Sequence, residues 1–257
     1  MSLNATLDTQ LSRVRLTGTA LDGASTALFE RSKNNLYWTT VRGGSAVTIN
    51  GSDEAALDDY EFVPGALNYY RVTAGADVFT TTITPSQTGV WLKSITRPFL
   101  NRAVQVVDVS DITRPARNGV FEVIGRSFPV AITDVRSSRR WMMTAKANSV
   151  VDADALELVF ASGDPLYVQT DGQYDIPRGY VVVGDVTRRR FGKVSERRWF
   201  DLPCTEVAAP GADVVGATST WETLVAEFGS WNAVLAEFGS WAEVADYVAD
   251  PSVVIVP

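Results

Sequence analysis

The chain has 257 residues, 46% hydrophobic and 21% charged, which suits one large or two ordinary domains and excludes a disordered chain. It has no histidine and a single cysteine, Cys204. That composition rules out Ser-His-Asp triads, Cys-His dyads, His-ligated or multi-thiolate zinc and an internal disulfide. The formal net charge is −7. All of it resides in residues 211–257, where Asp213, Glu222, Glu227, Glu237, Glu243, Asp246 and Asp250 meet no Lys or Arg. The first 210 residues are therefore neutral. An acidic tail repels phosphates, so nucleic acid is not an expected partner; a basic protein surface is. No run approaches the roughly 18 apolar residues of a spanning helix, so no membrane insertion is expected. The N-terminal residues lack a basic stretch followed by an apolar one, so no signal peptide is expected.

In chain order, residues 1–88 predict a small antiparallel β unit. Arg13–Thr17 and Ala27–Arg31 alternate, a turn falls at Lys33-Asn34-Asn35, and Leu36–Val41 forms the next strand. Tyr60–Val63 leads into Pro64-Gly65, followed by Asn68–Ala74 and Val78–Ile83. Short strands with turn signals every eight to twelve residues predict a sandwich. The run from Leu57 through Pro64-Gly65 to Asn68-Tyr69-Tyr70-Arg71-Val72 resembles the end of a fibronectin type III domain. That resemblance implies a tyrosine corner at Tyr69 or Tyr70, its hydroxyl bonding to turn backbone, and a core position for Trp38. It implies a fold more than an activity.

Residues 84–89 read as a linker. Residues 89–210 predict a second β-rich unit, a sandwich or barrel, with strands at Val104–Val109, Gly119–Ile124, Pro129–Thr133, Arg140–Lys146, Leu166–Thr170, Tyr180–Val186 and Arg197–Glu206. Asp152–Gly163 predicts one short helix, with carboxylates in its first turn and a glycine stop. The basic clusters Arg139-Arg140, Arg188-Arg189-Arg190 and Arg197-Arg198 alternate with Asp185, Glu196 and Asp201, which points to ion pairs or subunit contacts.

Residues 211–257 contain a ten-residue repeat. The copies begin at Trp221, Trp231 and Trp241, the third degraded. Trp221, Leu224, Val225 and Phe228 fall at i, i+3, i+4 and i+7, as do Trp231, Val234, Leu235 and Phe238; Trp241 and Val244 begin the third set. Gly229 and Gly239 are stops, and Ser219/Glu222 and Ser240/Glu243 have capping-box spacing. Helices of two turns do not stand alone in water. They must pack on their own chain or on another subunit, and the segregated charge favours another subunit. The apolar run Val253–Val256 could add a strand to a neighbouring sheet edge.

The tandem tail repeat resembles the C-terminal ends of minor tail proteins of actinobacterial tailed bacteriophages. The middle unit agrees with it, in the order Gly125–Val130, Asp134–Arg140, Ser162–Leu166 and Leu202–Pro210. The resemblance implies a distal-tail or tail-tip protein of the virion, assembled in the host cytoplasm. It implies contact with other phage tail proteins and with copies of itself, a hexamer rather than a trimer. The expected function is a ring or adaptor joining the tail tube to host-contacting proteins, without catalytic residues, cofactors or metal ligands. The rival expectation is a carbohydrate-binding receptor module using Tyr37, Trp38, Tyr69 and Tyr70.

Overall fold

The computed structural model describes residues 2–21, 23–172, 175–210 and 230–238. The chain is mainly β, and its contacts divide it into two compact units. Unit 1 comprises residues 1–103, 166–178 and 210–257, and unit 2 comprises residues 104–165 and 179–209.

Unit 1 is built on two facing sheets. In the first, β1 (Ser2–Asp8) pairs with β2 (Arg13–Thr19), which pairs with β6 (Ala55–Asp59). In the second, the order is β4 (Trp38–Thr40), β3 (Thr26–Ser32), β7 (Asn68–Ala74) and β8 (Asp77–Ile83), with β5 (Val47–Thr48) also on β3. All these pairings are antiparallel. Alternation in β2 and β7 sends every second side chain inward. Val14, Leu16 and Leu57 from one sheet meet Phe29, Tyr70 and Val72 from the other in a single core, closed by Leu21, Val41 and Phe62. The segment Tyr60–Val63, expected as a strand, is instead the bend that leaves β6, and the strand lies just before it. Trp38 sits on the outer face, half-buried, with the Arg71 guanidinium 4.4 Å from its ring centroid, because its register partner Ser32 faces away from the core set.

The core also encloses charge. Nη1 of Arg31 on β3 donates to both carboxylate oxygens of Asp59, at 2.6 and 2.7 Å. The Tyr70 hydroxyl donates to Asp59 Oδ2 at 2.7 Å and the Glu61 N–H to Oδ1 at 2.8 Å. The tyrosine-corner expectation is not met: the Tyr70 hydroxyl bonds a carboxylate on β6 rather than turn backbone, because the buried Asp59 is within its reach. Burial and the Asp59 charge together push the Tyr70 phenol far above its ordinary range. Nearby, Glu61 bridges Arg31 and Arg42, with Arg42 Nε at 2.8 Å. Asp58 and Asp59 thus lie on a buried strand, and Asp58 holds Arg13 at 2.5 Å.

A second ribbon completes unit 1. β9 (Val90–Ser94) pairs antiparallel with β14 (Leu166–Thr170), and all ten residues are buried. Register puts Lys93 and Gln169 on one face. Lys93 Nζ donates to the carbonyls of Ser12 and Tyr60, at 2.5 and 2.7 Å, and lies over the Phe62 ring. Gln169 donates to the Phe62 carbonyl and accepts from the Ser12 hydroxyl, at 2.8 and 2.9 Å. Asn101, in the turn after the 3-10 segment Pro98–Leu100, donates to the Leu11 carbonyl. Backbone carbonyls at the bends around Ser12 and Tyr60–Phe62 lack strand partners, and these side chains supply the donors that burial requires.

Unit 2 is organised by β17 (Arg198–Glu206), which pairs along one edge with β13 (Arg140–Ala147). Its other edge carries β15 (Gly179–Val183) and then β16 (Thr187–Arg190). Between Val183↔Cys204 and Thr187↔Asp201, three residues oppose two, a bulge at Pro203. Proline has no N–H for a ladder, so the irregularity falls where a bond would be missing anyway; Gly184 N–H still donates to the Pro203 carbonyl. Register aligns Trp141, Met143 and Ala145 with Cys204, Leu202 and Phe200 as the core face. The helix α1 (Val150–Ala161) turns Ala153, Leu156 and Val159 inward. Ser149 caps it by accepting from Asp152 N–H, and burial pushes the Cys204 thiol up to about 12. β10 (Arg102–Val109) pairs with β13, and beyond it β11 (Asn118–Phe121) and β12 (Val130–Thr133) form a separate two-stranded hairpin.

Two predictions concern unit 1. Asp59→Ala strands a buried guanidinium and should cost about 3–5 kcal/mol of stability, whereas Tyr70→Phe, which removes one bond to a charge, should cost about 1.5–3 kcal/mol. Urea titrations of both variants measure this, and equal losses would contradict the central role of Asp59. For Lys93, burial holds the ammonium well below its ordinary range. The unfolded chain then binds more protons than the folded one between the depressed value and about pH 10.4, so wild-type stability rises with pH in that window. Lys93→Met should flatten that rise and leave the chain less stable through its two orphaned carbonyls; thermal midpoints across the alkaline range are the readout.

Candidate partner-docking site

Of the tail residues assigned to docking, Trp231, Val234, Leu235 and Phe238 lie on α2 (Trp231–Phe238), a two-turn helix at the position the repeat specifies. Its start is capped by Ser230, whose hydroxyl accepts from Ala233 N–H at 3.2 Å while its carbonyl accepts from Val234 N–H at 3.1 Å. Val234 is fully buried by its own chain, and Trp231 remains 42% exposed. At this copy of the repeat the helix is therefore anchored within the chain and still offers much of its indole to solvent. Trp221, Leu224, Val225, Phe228, Trp241 and Val244, with both predicted capping boxes, lie outside the described residues, as does the apolar run 253–256.

The basic residues Arg188, Arg189, Arg190, Arg197 and Arg198 do not form one patch. β16 alternates, so neighbouring arginines leave opposite faces. Arg188 shares the core face with Phe200, its register partner. It reaches Asp154 and Glu157 on α1 at 2.9 and 2.5 Å, and its guanidinium lies 5.9 Å from the Phe200 ring centroid. The two carboxylates are three residues apart, one turn of α1, so one guanidinium serves both. Arg189 leaves the other face, pairs with Asp201 at 2.5 Å and stacks 5.3 Å from the Trp199 ring centroid. Thr144 on β13 donates to the same carboxylate at 2.9 Å. Arg198 donates to the carbonyls of Ser195 and Arg197, closing the loop after β16. Arg190 and Arg197 make no ion pair among the described residues and remain exposed. The upstream Arg139 binds Glu206 through Nε at 2.8 Å and Nη2 at 2.5 Å.

The four aromatics considered for a sugar face separate. Tyr70 is fully buried on the core side, while Tyr37 is 79% exposed in a turn whose N–H groups donate to Asn34 Oδ1. Only Trp38 and Tyr69, both opposite Ser32 in register, share the outer face of the second sheet.

Sequence reading missed one exposed apolar surface. The β11–β12 hairpin was expected inside a sandwich or barrel, yet Val120, Phe121, Val130 and Ile132 are 58, 54, 42 and 64% exposed. A visible signal was that β11 and β12 carry apolar residues on both faces, the pattern of strands that must be covered twice. No described helix is long and apolar enough to cross a membrane.

Acid should weaken the outer clamps of unit 2 first. The Arg189 guanidinium holds the Asp201 carboxyl below its ordinary range, and Arg139 does the same for Glu206. Because both folded values are depressed, their stabilisation is complete above about pH 4 and lost as pH falls through those values. Both pairs are near the surface, so added salt should reduce the effect. Thermal melts of wild type and Asp201→Asn between neutral and strongly acidic pH test this: the variant should show the shallower acid slope.

No protein-family model matches this chain, and no curated protein matches it.

Proposed function

We propose that this chain is a multi-copy structural component of a bacteriophage tail tip or baseplate, a ring or adaptor that joins the tube to host-contacting proteins and works by contact rather than catalysis. The observation that carries the reading is α2, anchored through Val234 and offering Trp231 outward at the centre of a repeated, wholly acidic segment. Indoles half-seated in this way are characteristic anchors of protein interfaces. The strand order of unit 1, with β1-β2-β6 facing β4-β3-β7-β8, supports a fibronectin type III-like module at the N-terminal end. The ionisable groups with displaced pKa values also support a contact role. Arg31, Arg13, Arg139 and Arg189 are engaged by internal carboxylates, and Lys93 by internal carbonyls.

The mass of the full chain in solution, measured by mass photometry, tests the proposal. A closed multi-copy species, six rather than three, is expected. Trp221→Ala combined with Trp231→Ala should shift the population toward smaller species. A single-chain mass at every concentration counts against the ring, and an unchanged mass in the double variant counts against the tail as a joint.

A further inference from the structure

The chain that leaves β10 and returns to β13 extends past the body of unit 2 as a ribbon, clear of β17 outward from Ser137. Beyond the register pair Val109↔Met143, the ladder persists through the Thr113↔Arg140 bridge, Ser137 N–H to the Pro115 carbonyl at 3.0 Å and Asp134 N–H to the Arg117 carbonyl at 3.1 Å. It then enters β11–β12 and closes at a turn where Arg126 N–H donates to the Val123 carbonyl and Gly125 takes φ +84°. From Asn118 to Arg136 every residue is exposed except Gly119.

The side chains on this arm are not those of a solvated loop. The register pairs Gly119↔Ile132 and Phe121↔Val130 share one face. Gly119 matters there: a Cβ would come within 2.8 Å of the Phe121 ring, so the glycine lets the ring lie back over its own strand. The opposite face carries Val120, and the tip carries Ile124 and Phe128, 103 and 83% exposed. A lone two-stranded hairpin is marginal in water, and three strands or a covered apolar face are needed. Both outer edges of this one are unpaired among the described residues.

We infer that the arm 113–140 is the surface by which one copy of this chain holds another: it lays its Phe121–Val130–Ile132 face and its Ile124–Phe128 tip on a second copy. The inference rests on the multi-copy reading above and names the contact that makes it. The apolar extent fits a covered surface: Phe121, Val130 and Ile132 on one face and Ile124 and Phe128 at the tip are all exposed, where a lone chain ordinarily leaves only small apolar patches open. Charge supports it as well. Residues 113–140 carry Arg114, Arg117, Arg126, Arg136, Arg139 and Arg140 against Glu122 and Asp134, whereas residues 211–257 of a second copy carry seven acidic groups and no basic one, so opposite charges attract the two copies. On the arm, Arg117 pairs with Asp134 at 3.3 Å, and Arg114, Arg126 and Arg136 are exposed.

The test compares full-length wild type with two variants, Phe121→Ser/Ile132→Ser on the face and Ile124→Asp/Phe128→Asp at the tip, by sedimentation velocity over a dilution series. Because these side chains are exposed, both variants should keep the wild-type melting midpoint. Association should weaken at least ~tenfold, as expected for central apolar anchors. Hydrogen exchange on wild type gives an independent arm: amides of 118–133 should be protected in the associated fraction and exchange freely on dilution. An associated wild type whose variants associate equally well, or whose arm amides gain no protection, overturns the arm and leaves the multi-copy reading standing. A wild type that stays a single chain overturns both and gives the arm to a different protein.

Discussion

Asp59 is the point on which unit 1 depends. Its carboxylate sits among apolar side chains, where a lone charge would be prohibitively unfavourable, and it is stable there because a guanidinium, a phenol and a backbone N–H converge on it. Those donors come from β3, β7 and the bend after β6, so the cluster fixes how the second sheet faces the end of the first. Specificity of this kind differs from the adhesion supplied by Phe29, Leu16 and Val72. Apolar residues tolerate a sliding sheet, whereas a buried carboxylate with three directed donors does not. Glu61 and Arg42 extend the arrangement outward, and Arg42 reaches the Pro210 carbonyl at 3.3 Å, tying the segment that leads into the tail to the same framework.

Unit 2 handles its polar groups differently. Its core face is apolar from Trp141 to Leu202, and its charges stay near the rim, where Arg188 braces α1 and Arg189 braces Asp201. The bulge opposite Pro203 separates β15 from β16 and lets a proline occupy the strand with which β13, β15 and β16 all pair. The arginine-rich β16 is thereby used on both faces. The ion pairs expected from arginines alternating with acidic residues become braces for a helix and a strand.

Much of this arrangement was legible in the residues. Alternation located β2, β3, β7 and β8, first-turn carboxylates and the glycine stop located α1, and the tail period located α2. The misses have physical reasons. β6 has no apolar–polar alternation to mark it as a strand, and its two aspartates are buried only through arginine partners on β2 and β3, far away in sequence. β9 lies just past the expected linker 84–89 and is absent from the expected strands of the second unit; a lysine is unusual in a fully buried strand, and only the carbonyls of Ser12 and Tyr60 make that burial tolerable. Trp38 is hydrophobic enough for the core, yet register decides its face. For the proposed contacts, the sequence exposed the tail's aromatic period and charge. It did not expose the arm, whose strands resemble any buried pair until their lack of cover is seen.

The ribbon of β9 and β14 carries a consequence for the order of synthesis. β9 leaves the ribosome well before its partner, with all of α1 and β10–β13 translated in between. At a few to about twenty residues per second, Lys93 spends seconds hydrated and charged, while the carbonyls of Ser12 and Tyr60 remain bonded to water. Only when Leu166–Thr170 emerges can Gln169 close over Ser12 and Phe62 and the lysine be drawn in. Completion of the first-made unit is thus timed by a strand from the far side of the second. A nascent chain interrupted before residue 170 would carry an unfinished first unit, recognisable to proteases and chaperones by that open seam.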